Sequence, residues 1–575
     1  MHDDARRSGR DVLRGVVAGE RRRVAAGCVL GASHQIGEAL IPVLIGVIVD
    51  RAIVHPDVAS FARWALVLAV VYVFLSGGFQ LGSRAGEYAK EYAGHSLRMR
   101  LMRRVLDPRG GASTGRPPGA LVSVATEDAR RAGSVAFVLP LGFSAAVGLA
   151  AGAILLLRAS VPLGLLILLG TPVLMGLGQL LARPLEHRSH AEQERAAHAS
   201  GVAADLVAGV RVLQGLGAQR AASDRYRLTS RASLDATVRA ARAEAVQTGL
   251  MQALTGVFIA LVALVGGRLV LSGSIGLGEL VAAVGLALFI PGPLQVISWM
   301  AAEVARSRAS AGRVAEVLAT PGDIAGTGAA AGAKDPADSA APGGDGAPRG
   351  SLRLSGLVHE GLDGVDLTVA PGEFVGVVVT EPAHADTLVR CLARRVDPDA
   401  GRLELDGVPF TDLAPRSLRS RVLVAEHGAE LFAGSLRDNI TAIGASTHPA
   451  AAAARADEVA ASLPGGLDAP VGERGRSLSG GQRQRVALAR ALAADRDVLV
   501  VHDPTTAIDA ATESRIATGI RELRRGRTTI LVTSSPALLA VADRVALIDG
   551  GRLADEAPHE ELVRRSSLYR TAVLA

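Results

Sequence analysis

The sequence predicts an all-α membrane domain of six helices followed by an α/β domain, and three observations carry that prediction. Six runs are apolar over close to the roughly 20 residues that a bilayer core demands. Hydrophobic residues make up 49% of the 575, and the mean hydropathy of +0.30 is above that of ordinary water-soluble chains. Beyond residue 350 the long runs stop, and short apolar segments alternate with helical stretches in the manner of buried strands between helices.

In chain order, Arg6, Arg7, Arg10, Arg14 and the arginines at 21–23 precede an apolar run at 24–49. This imitates a signal peptide, but the run is too long for an h-region and lacks a small-residue cleavage site, so it reads as a retained span. Further spans fall at 61–81, 135–157, 163–181, 250–271 and 280–300. The connections after the first, third and fifth spans are short and carry few charges, whereas those at 84–131 and 183–242 are long and rich in arginine. Positive charge stays inside. Both termini, both long loops and the α/β domain are therefore expected on the cytoplasmic side of a multi-pass protein of the inner or plasma membrane. The long loops have helical composition, so the helices are expected to run on into the cytoplasm. Pro42, Pro140, Pro162, Pro172, Pro291 and Pro293 sit inside or beside spans, and Pro291-Gly292-Pro293 is expected to bend the sixth.

The formal charge of +6 and a pI near 9.8 are accounted for by arginines between spans. No groove-reading or base-stacking module accompanies them, so nucleic acid is not an expected partner. Cys28 lies in a span and Cys391 in the α/β region, a poor basis for a disulfide framework. Residues 321–350, rich in Ala, Gly, Pro and Asp, read as a flexible linker. The domains are thus 1–320 (membrane), 321–350 (linker) and 351–575 (α/β), the last with strands at 374–379, 498–501 and 529–532.

The chemistry-bearing motif is Leu478-Ser479-Gly480-Gly481-Gln482, followed by Arg483-Gln484-Arg485 and, after a buried strand, Asp509. A serine hydroxyl with glycine N–H groups at a helix N-terminus suits a phosphate, and only glycine lets the backbone come that close. Yet the only lysines in the chain are Lys90 and Lys334, so residues 351–575 have no ammonium to set against a nucleotide's phosphates.

With these residues the chain resembles the ATP-binding cassette exporters, in which six membrane helices precede a P-loop-type ATP-binding cassette domain. The likeness covers nearly the whole length. Pro42-Val43-Leu44-Ile45-Gly46 through Asp50 resembles the end of the family's first helix. Gly209-Val210-Arg211-Val212-Leu213-Gln214 resembles its second cytoplasmic loop, and Gly278-Glu279-Leu280 with Pro291-Gly292-Pro293-Leu294 its sixth helix. Val471-Gly472-Glu473-Arg474-Gly475 and Arg437-Asp438-Asn439-Ile440 stand where the family has them, ahead of the signature. The resemblance implies ATP and Mg²⁺ as cofactors.

Elsewhere the stations depart from the family. Residues 379–387 align with the GxxGxGKST loop, whose glycines are all lost; Pro382 removes an N–H, Ala385 replaces the lysine, and Asp386 the magnesium-touching hydroxyl, ahead of Thr387. Likewise His502 stands for the magnesium-linked aspartate, Asp503 for the water-polarising glutamate, His427 for the Q-loop glutamine and Ser534 for the switch histidine. His359 is a poor adenine-stacking candidate. No ligand cluster accompanies His427 and His502, so no metal site is assigned to them. Every residue that would act on this chain's own nucleotide is altered. Those that act across a dimer, Leu478, Ser479, Gly480, Gly481, Gln482 and Asp509, are kept. Random decay does not sort that way.

By resemblance, this is the degenerate-site half of a heterodimeric exporter, with no catalytic residue in its own site. Its partner is a homologous half-transporter with intact Walker A and B motifs and a switch histidine, so ATP and Mg²⁺ are bound mainly through the partner's site. A silent membrane scaffold and a siderophore importer of the same build are alternatives, while a homodimer would have no lysine in either site. In the first span His34, Gln35 and Glu38 break the apolar run, His34 and Glu38 on one face, and they fit either a translocation path or an interhelical pair. Gln295, Trp299 and Glu303 are weaker candidates. The substrate, whether small molecule, peptide or lipid, does not follow.

Overall fold

The computed structural model describes residues 8–54, 57–112, 115–324, 349–428, 430–442 and 447–574, the side chains at 53–54, 183–187 and 447 excepted. It divides into two compact units, Met1–Met102 with Pro118–Ala319, and Arg103–Pro117 with Thr320–Ala575. Residues 325–348, most of the expected linker, lie outside the described residues.

The first unit is helical: α1 Gly9–Gly19, α2 Arg21–Ile48, α3 Val58–Val105, α4 Val135–Ala159, α5 Val161–Ala208, α6 Gln219–Leu271, α7 Leu277–Phe289 and α8 Pro291–Ala319, with shorter helical turns unnumbered. Among the described residues, six stretches are long and apolar enough to cross a membrane: Arg21–Ala52, Val58–Val105, Pro118–Ala159, Val161–Ala182, Gln219–Leu271 and Leu277–Ala319. Each contains one of the runs read from the sequence. The helices do run on: α3 has 48 residues and α6 has 53, about 70 and 80 Å at the usual helical rise against a hydrocarbon core of roughly 30 Å. The sixth span is interrupted at Ile290, because Pro291 has no N–H to continue the ladder.

The helix α1 was not legible as such. Its N-terminus is closed by a reciprocal pair, Asp11 accepting from the Ser8 N–H at 2.9 Å. Its one apolar side buries Val12 and Val16 in a cluster with Ala311 and Val314. The arginines that set its charge hid an amphipathic helix.

Where α2 meets α7, Gly46 and Gly278 face each other, and Asp50 Oδ1 accepts a hydrogen bond from the Gly278 N–H at 2.7 Å. A Cβ on Gly278 would stand 2.0 Å from the Gly46 carbonyl oxygen. Only glycine permits that crossing. Gly278→Val is therefore expected to destabilise the helical unit by about 3 kcal/mol or more, through overpacking and loss of the Asp50 bond. Gly267→Ala, where nothing lies within 4 Å of the added carbon, should leave the unfolding midpoint in detergent unchanged.

The second unit has strands β1 Leu352–His359, β2 Leu362–Val369, β3 Phe374–Val379, β4 Ala400–Leu405, β5 Val408–Pro409, β6 Val422–Ala425, β7 Gly434–Ser435, β8 Pro470–Val471, β9 Val498–His502, β10 Thr528–Val532, β11 Arg544–Asp549 and β12 Arg552–Ala557. The main sheet has the order β12-β11-β3-β10-β9-β6. All its pairings are parallel except β12 on β11. Strands β3, β9 and β10 are nearly continuous runs of Val, Leu and Ile because both faces of a parallel sheet are covered. A second, antiparallel sheet, β2-β1-β4-β5, is separate in its hydrogen bonding but shares an apolar core with the first. Three further helices matter below: α9 Pro382–Leu392, α10 Gly480–Ala493 and α11 Ala510–Leu523. The short segment Arg103–Pro117 belongs to this unit through its bonds: Arg104 donates to the Thr320 carbonyl at 2.7 Å, and the Gly111 N–H to Asp323 at 2.7 Å.

Candidate nucleotide stations

The functional positions cluster at the carboxyl ends of β3, β9 and β10, where open α/β sheets hold ligands. After β3 the chain turns at once into α9, with Pro382 in the first helical turn. Thr380 Oγ1 lies 2.6 Å from Glu381 Oε2 and 2.8 Å from Asp549 Oδ1, and the Thr380 N–H donates to the Ile548 carbonyl. The Thr380 hydroxyl, with the nearby His384, holds the Glu381 carboxyl below the usual range. Ala385 is buried in the core with Leu388 and Val389. Thr387 is also buried, its hydroxyl donating to the Ala383 carbonyl at 3.0 Å. In place of an open glycine cradle there is a turn closed on its own side chains.

After β9 the same character continues. His502 Nδ1 is 3.7 Å from Asp386 Oδ1, and its Nε2 is 3.8 Å from Asp503 Oδ2. His427 Nδ1 is 3.3 Å from the Asp503 carbonyl oxygen, with its ring centroid 6.0 Å from that of His502. Asp503 takes a left-handed backbone, φ 43°, which aspartate tolerates better than most residues. Four of the positions read from the sequence, Asp386, His427, His502 and Asp503, are thus brought together. Ser534 is exposed and makes no hydrogen bond with them. His359, a poor stacking candidate on sequence, lies 3.0 Å from Asp399.

This side of the chain has neither the lysine nor the glycine loop that a P-loop sets against phosphates. A nucleotide's phosphates would meet Asp386, Glu381 and Asp503 with no ammonium opposite, and the Pro382 nitrogen has no proton to offer.

The signature side is built differently. Ser479 caps α10: its hydroxyl accepts from the Gln482 N–H at 3.3 Å, and Gln482 Oε1 accepts from the Ser479 N–H at 2.9 Å. That reciprocal box leaves the N–H groups of Gly480 and Gly481 without intrahelical acceptors. A Cβ on Gly481 would stand 2.6 Å from the Ala507 carbonyl oxygen, so this residue has to be glycine. Leu478 is buried in the core and anchors the loop. Ser479 is exposed at the positive end of a helix of 14 residues. This side fits a phosphate.

One clasp was missed from the sequence. Gln484 Nε2 donates to the Thr506 hydroxyl at 2.7 Å, and its Oε1 accepts from the Ala507 N–H at 2.9 Å. It ties α10 to the loop that ends at Asp509, which in turn caps α11 by accepting from the Thr512 N–H at 2.9 Å. That bond holds the Asp509 carboxyl below its usual range.

Fold and stations together define a membrane helical domain joined to an ATP-binding cassette. Residues 24–294 match the family model for the ABC transporter transmembrane region, and residues 362–506 match the model for the ABC transporter cassette. The chain belongs to the ABC transporter family, with exporter-type architecture.

It is 30% identical, over 576 residues and 97% of its length, to a multidrug efflux ATP-binding/permease protein of Mycobacterium tuberculosis, of which it spans 46%. It is also 26% identical over 536 residues, 91% of this chain and 89% of the other, to an ATP-dependent lipid A-core flippase of Xanthomonas oryzae. A bacterial Atm1-family ABC exporter with ATP bound has the same fold, with a TM-score of 0.67 at 22% identity, covering 97% of this chain and 98% of that one. The chain spans about half the length of the first curated relatives it matches.

Proposed function

We propose that this chain is one half of an ATP-driven membrane transporter of the export type, and that it completes an ATP site whose phosphate loop belongs to a second half. The observation that carries the reading is the contrast between its two stations. The turn at 380–387 is closed and acidic, while the loop at Ser479–Gln482 offers an exposed serine and two N–H groups without intrahelical acceptors. Ser479, Gly480 and Gly481 would hold the terminal phosphate, and Gln482 keeps Ser479 in place. When bound, ATP with Mg²⁺ would supply the energy for transport, and closing the two cassettes on it would switch the membrane helices between access to either side.

The second half would carry the lysine, a glutamate after its Walker B aspartate and a switch histidine, whether encoded separately or in a longer polypeptide. The M. tuberculosis relative is about twice the length matched here, which leaves room for such a second half. Both termini and the cassette would face the cytoplasm, as the arginine distribution requires. The names of the relatives, multidrug efflux and lipid A-core flippase, favour an amphipathic substrate.

The test is ATP hydrolysis by the purified chain alone and after assembly with a half-transporter that carries an intact phosphate loop. Turnover is expected only in the assembly. Brisk turnover by the chain alone would overturn the proposal, and inactivity of both preparations would favour the silent scaffold.

A further inference from the structure

Within the helical unit a cavity of about 390 Å³ opens between α2, α3, α4 and the α7–α8 junction. That is the size of a pocket for a drug-like molecule. From α2, His34, Gln35 and Glu38 all line it, joined by Ser83, Ser144 and Gln295 from other helices. Gln35 Nε2 donates to Glu38 Oε2 at 3.1 Å, and His34 Nε2 is 3.7 Å from the same oxygen. Both contacts fall on Oε2. Glu38 Oε1 has no protein partner among the described residues.

His34 is held by its other nitrogen, which lies 3.0 Å from the Leu75 carbonyl oxygen. That acceptor requires Nδ1 to carry the proton, so in the neutral ring Nε2 presents a lone pair to Glu38 and does not neutralise it. Among the described residues no lysine or arginine lines the cavity, and His34 and Glu38 are the titratable groups that do. Glu38 sits within a membrane span with its side chain 46% exposed and one oxygen unmatched among the described residues, so a positive charge that enters the cavity meets a carboxylate able to take it.

The rest of the wall is mostly glycine and small residues, with three phenylalanine rings among them. Phe79, Phe137 and Phe289 line it, with the Phe79 ring centroid 5.1 Å from that of His34. Ring faces attract cations and large apolar groups alike. Phe137 already has a cation near it: Lys90 Nζ is 5.8 Å from its ring, though Lys90 is itself paired with Glu87 and Glu91 and does not line the cavity.

We propose that this cavity binds a hydrophobic organic cation, with Glu38 taking the charge and the phenylalanine rings taking the apolar body. As a substrate site it rests on the transporter reading above; as a binding site it does not. Of the weaker sequence candidates only Gln295 lines it; Trp299 does not, and Glu303 is bonded to Arg306 at 3.0 Å.

The test is equilibrium binding of tetraphenylphosphonium to the full chain in lipid nanodiscs, without ATP or a second half, empty nanodiscs being subtracted. Saturable binding is expected, weakened about tenfold or more by Glu38→Gln and retained by Glu38→Asp. The isosteric anion tetraphenylborate should fail to compete, a readout that needs no variant. Equal binding by Glu38→Gln with an unchanged unfolding midpoint would overturn the proposal, as would displacement by the borate as readily as by the phosphonium. Because no nucleotide enters, failure here leaves the ATP-site proposal standing, and failure there leaves this one.

Discussion

Replacing Ser479 with arginine is expected to lower ATP hydrolysis by the assembled transporter roughly a hundredfold or more, the scale set by losing one preorganised donor in a closed site. Three things go at once. The hydroxyl of an exposed serine is lost, the Gln482 N–H loses its acceptor, and a long guanidinium enters the space where a phosphate from the second half would come. The fold need not suffer, since Ser479 is exposed and its neighbour Leu478 remains anchored in the core. The control is its mirror image. Asp386→Ser, which returns a hydroxyl to this chain's own phosphate turn, should leave turnover within about twofold, because Ala385 and Pro382 still deny that turn its lysine and its N–H. Steady-state ATPase of the two variants side by side decides the matter. A strong effect of Asp386→Ser with a weak effect of Ser479→Arg would reverse the assignment of the two stations.

The second large effect concerns stability. Arg524 is buried at the end of α11 and donates to the Thr529 hydroxyl at 3.2 Å and to the carbonyls of Arg496, Asp497 and Thr528 at 2.7, 3.3 and 2.9 Å. It gathers the starts of β9 and β10, the strands that carry the nucleotide stations. Methionine fills a similar volume but offers no donor, so Arg524→Met leaves these acceptors buried and unmatched and should cost about 3–5 kcal/mol. Arg525→Met, one residue on and exposed, should cost less than about 0.5 kcal/mol. Unfolding of the two variants, followed by circular dichroism in detergent, separates them. Equal midpoints would mean that the acceptors find water or other donors.

The membrane half was legible because apolar length is a signal that needs no partner: all six spans fall where the hydropathy put them. The sheet core was legible for a related reason, since 374–379, 498–501 and 529–532 are continuous apolar runs, which a parallel sheet demands. The antiparallel strands β1, β2, β4 and β5 were not, because their alternation is interrupted by polar and glycine residues and by register shifts between β1 and its neighbours. At the stations, composition revealed which residues had changed but not what they now do. Nothing in the spacing of Thr380, Glu381 and Asp549 says that they meet, as they are brought together only by β3 lying beside β11. Likewise Gln484 looked like part of a basic signature tail, and its clasp on Thr506 and Ala507 depends on how α10 lies along the loop after β9. His34 and Glu38 were conspicuous as charges in an apolar run. The phenylalanine rings that share their cavity come from three other segments, out of reach of any local pattern.

The length of α6 has a mechanical consequence. A continuous rod of about 80 Å turns angle into distance, so pivoting it by about 5° moves its far end by roughly 7 Å, the width of a drug-sized molecule. No joint has to bend, and no span has to slide along its neighbours. A lever of this reach would let a contraction of a few ångströms at one end part a seam of useful width at the other.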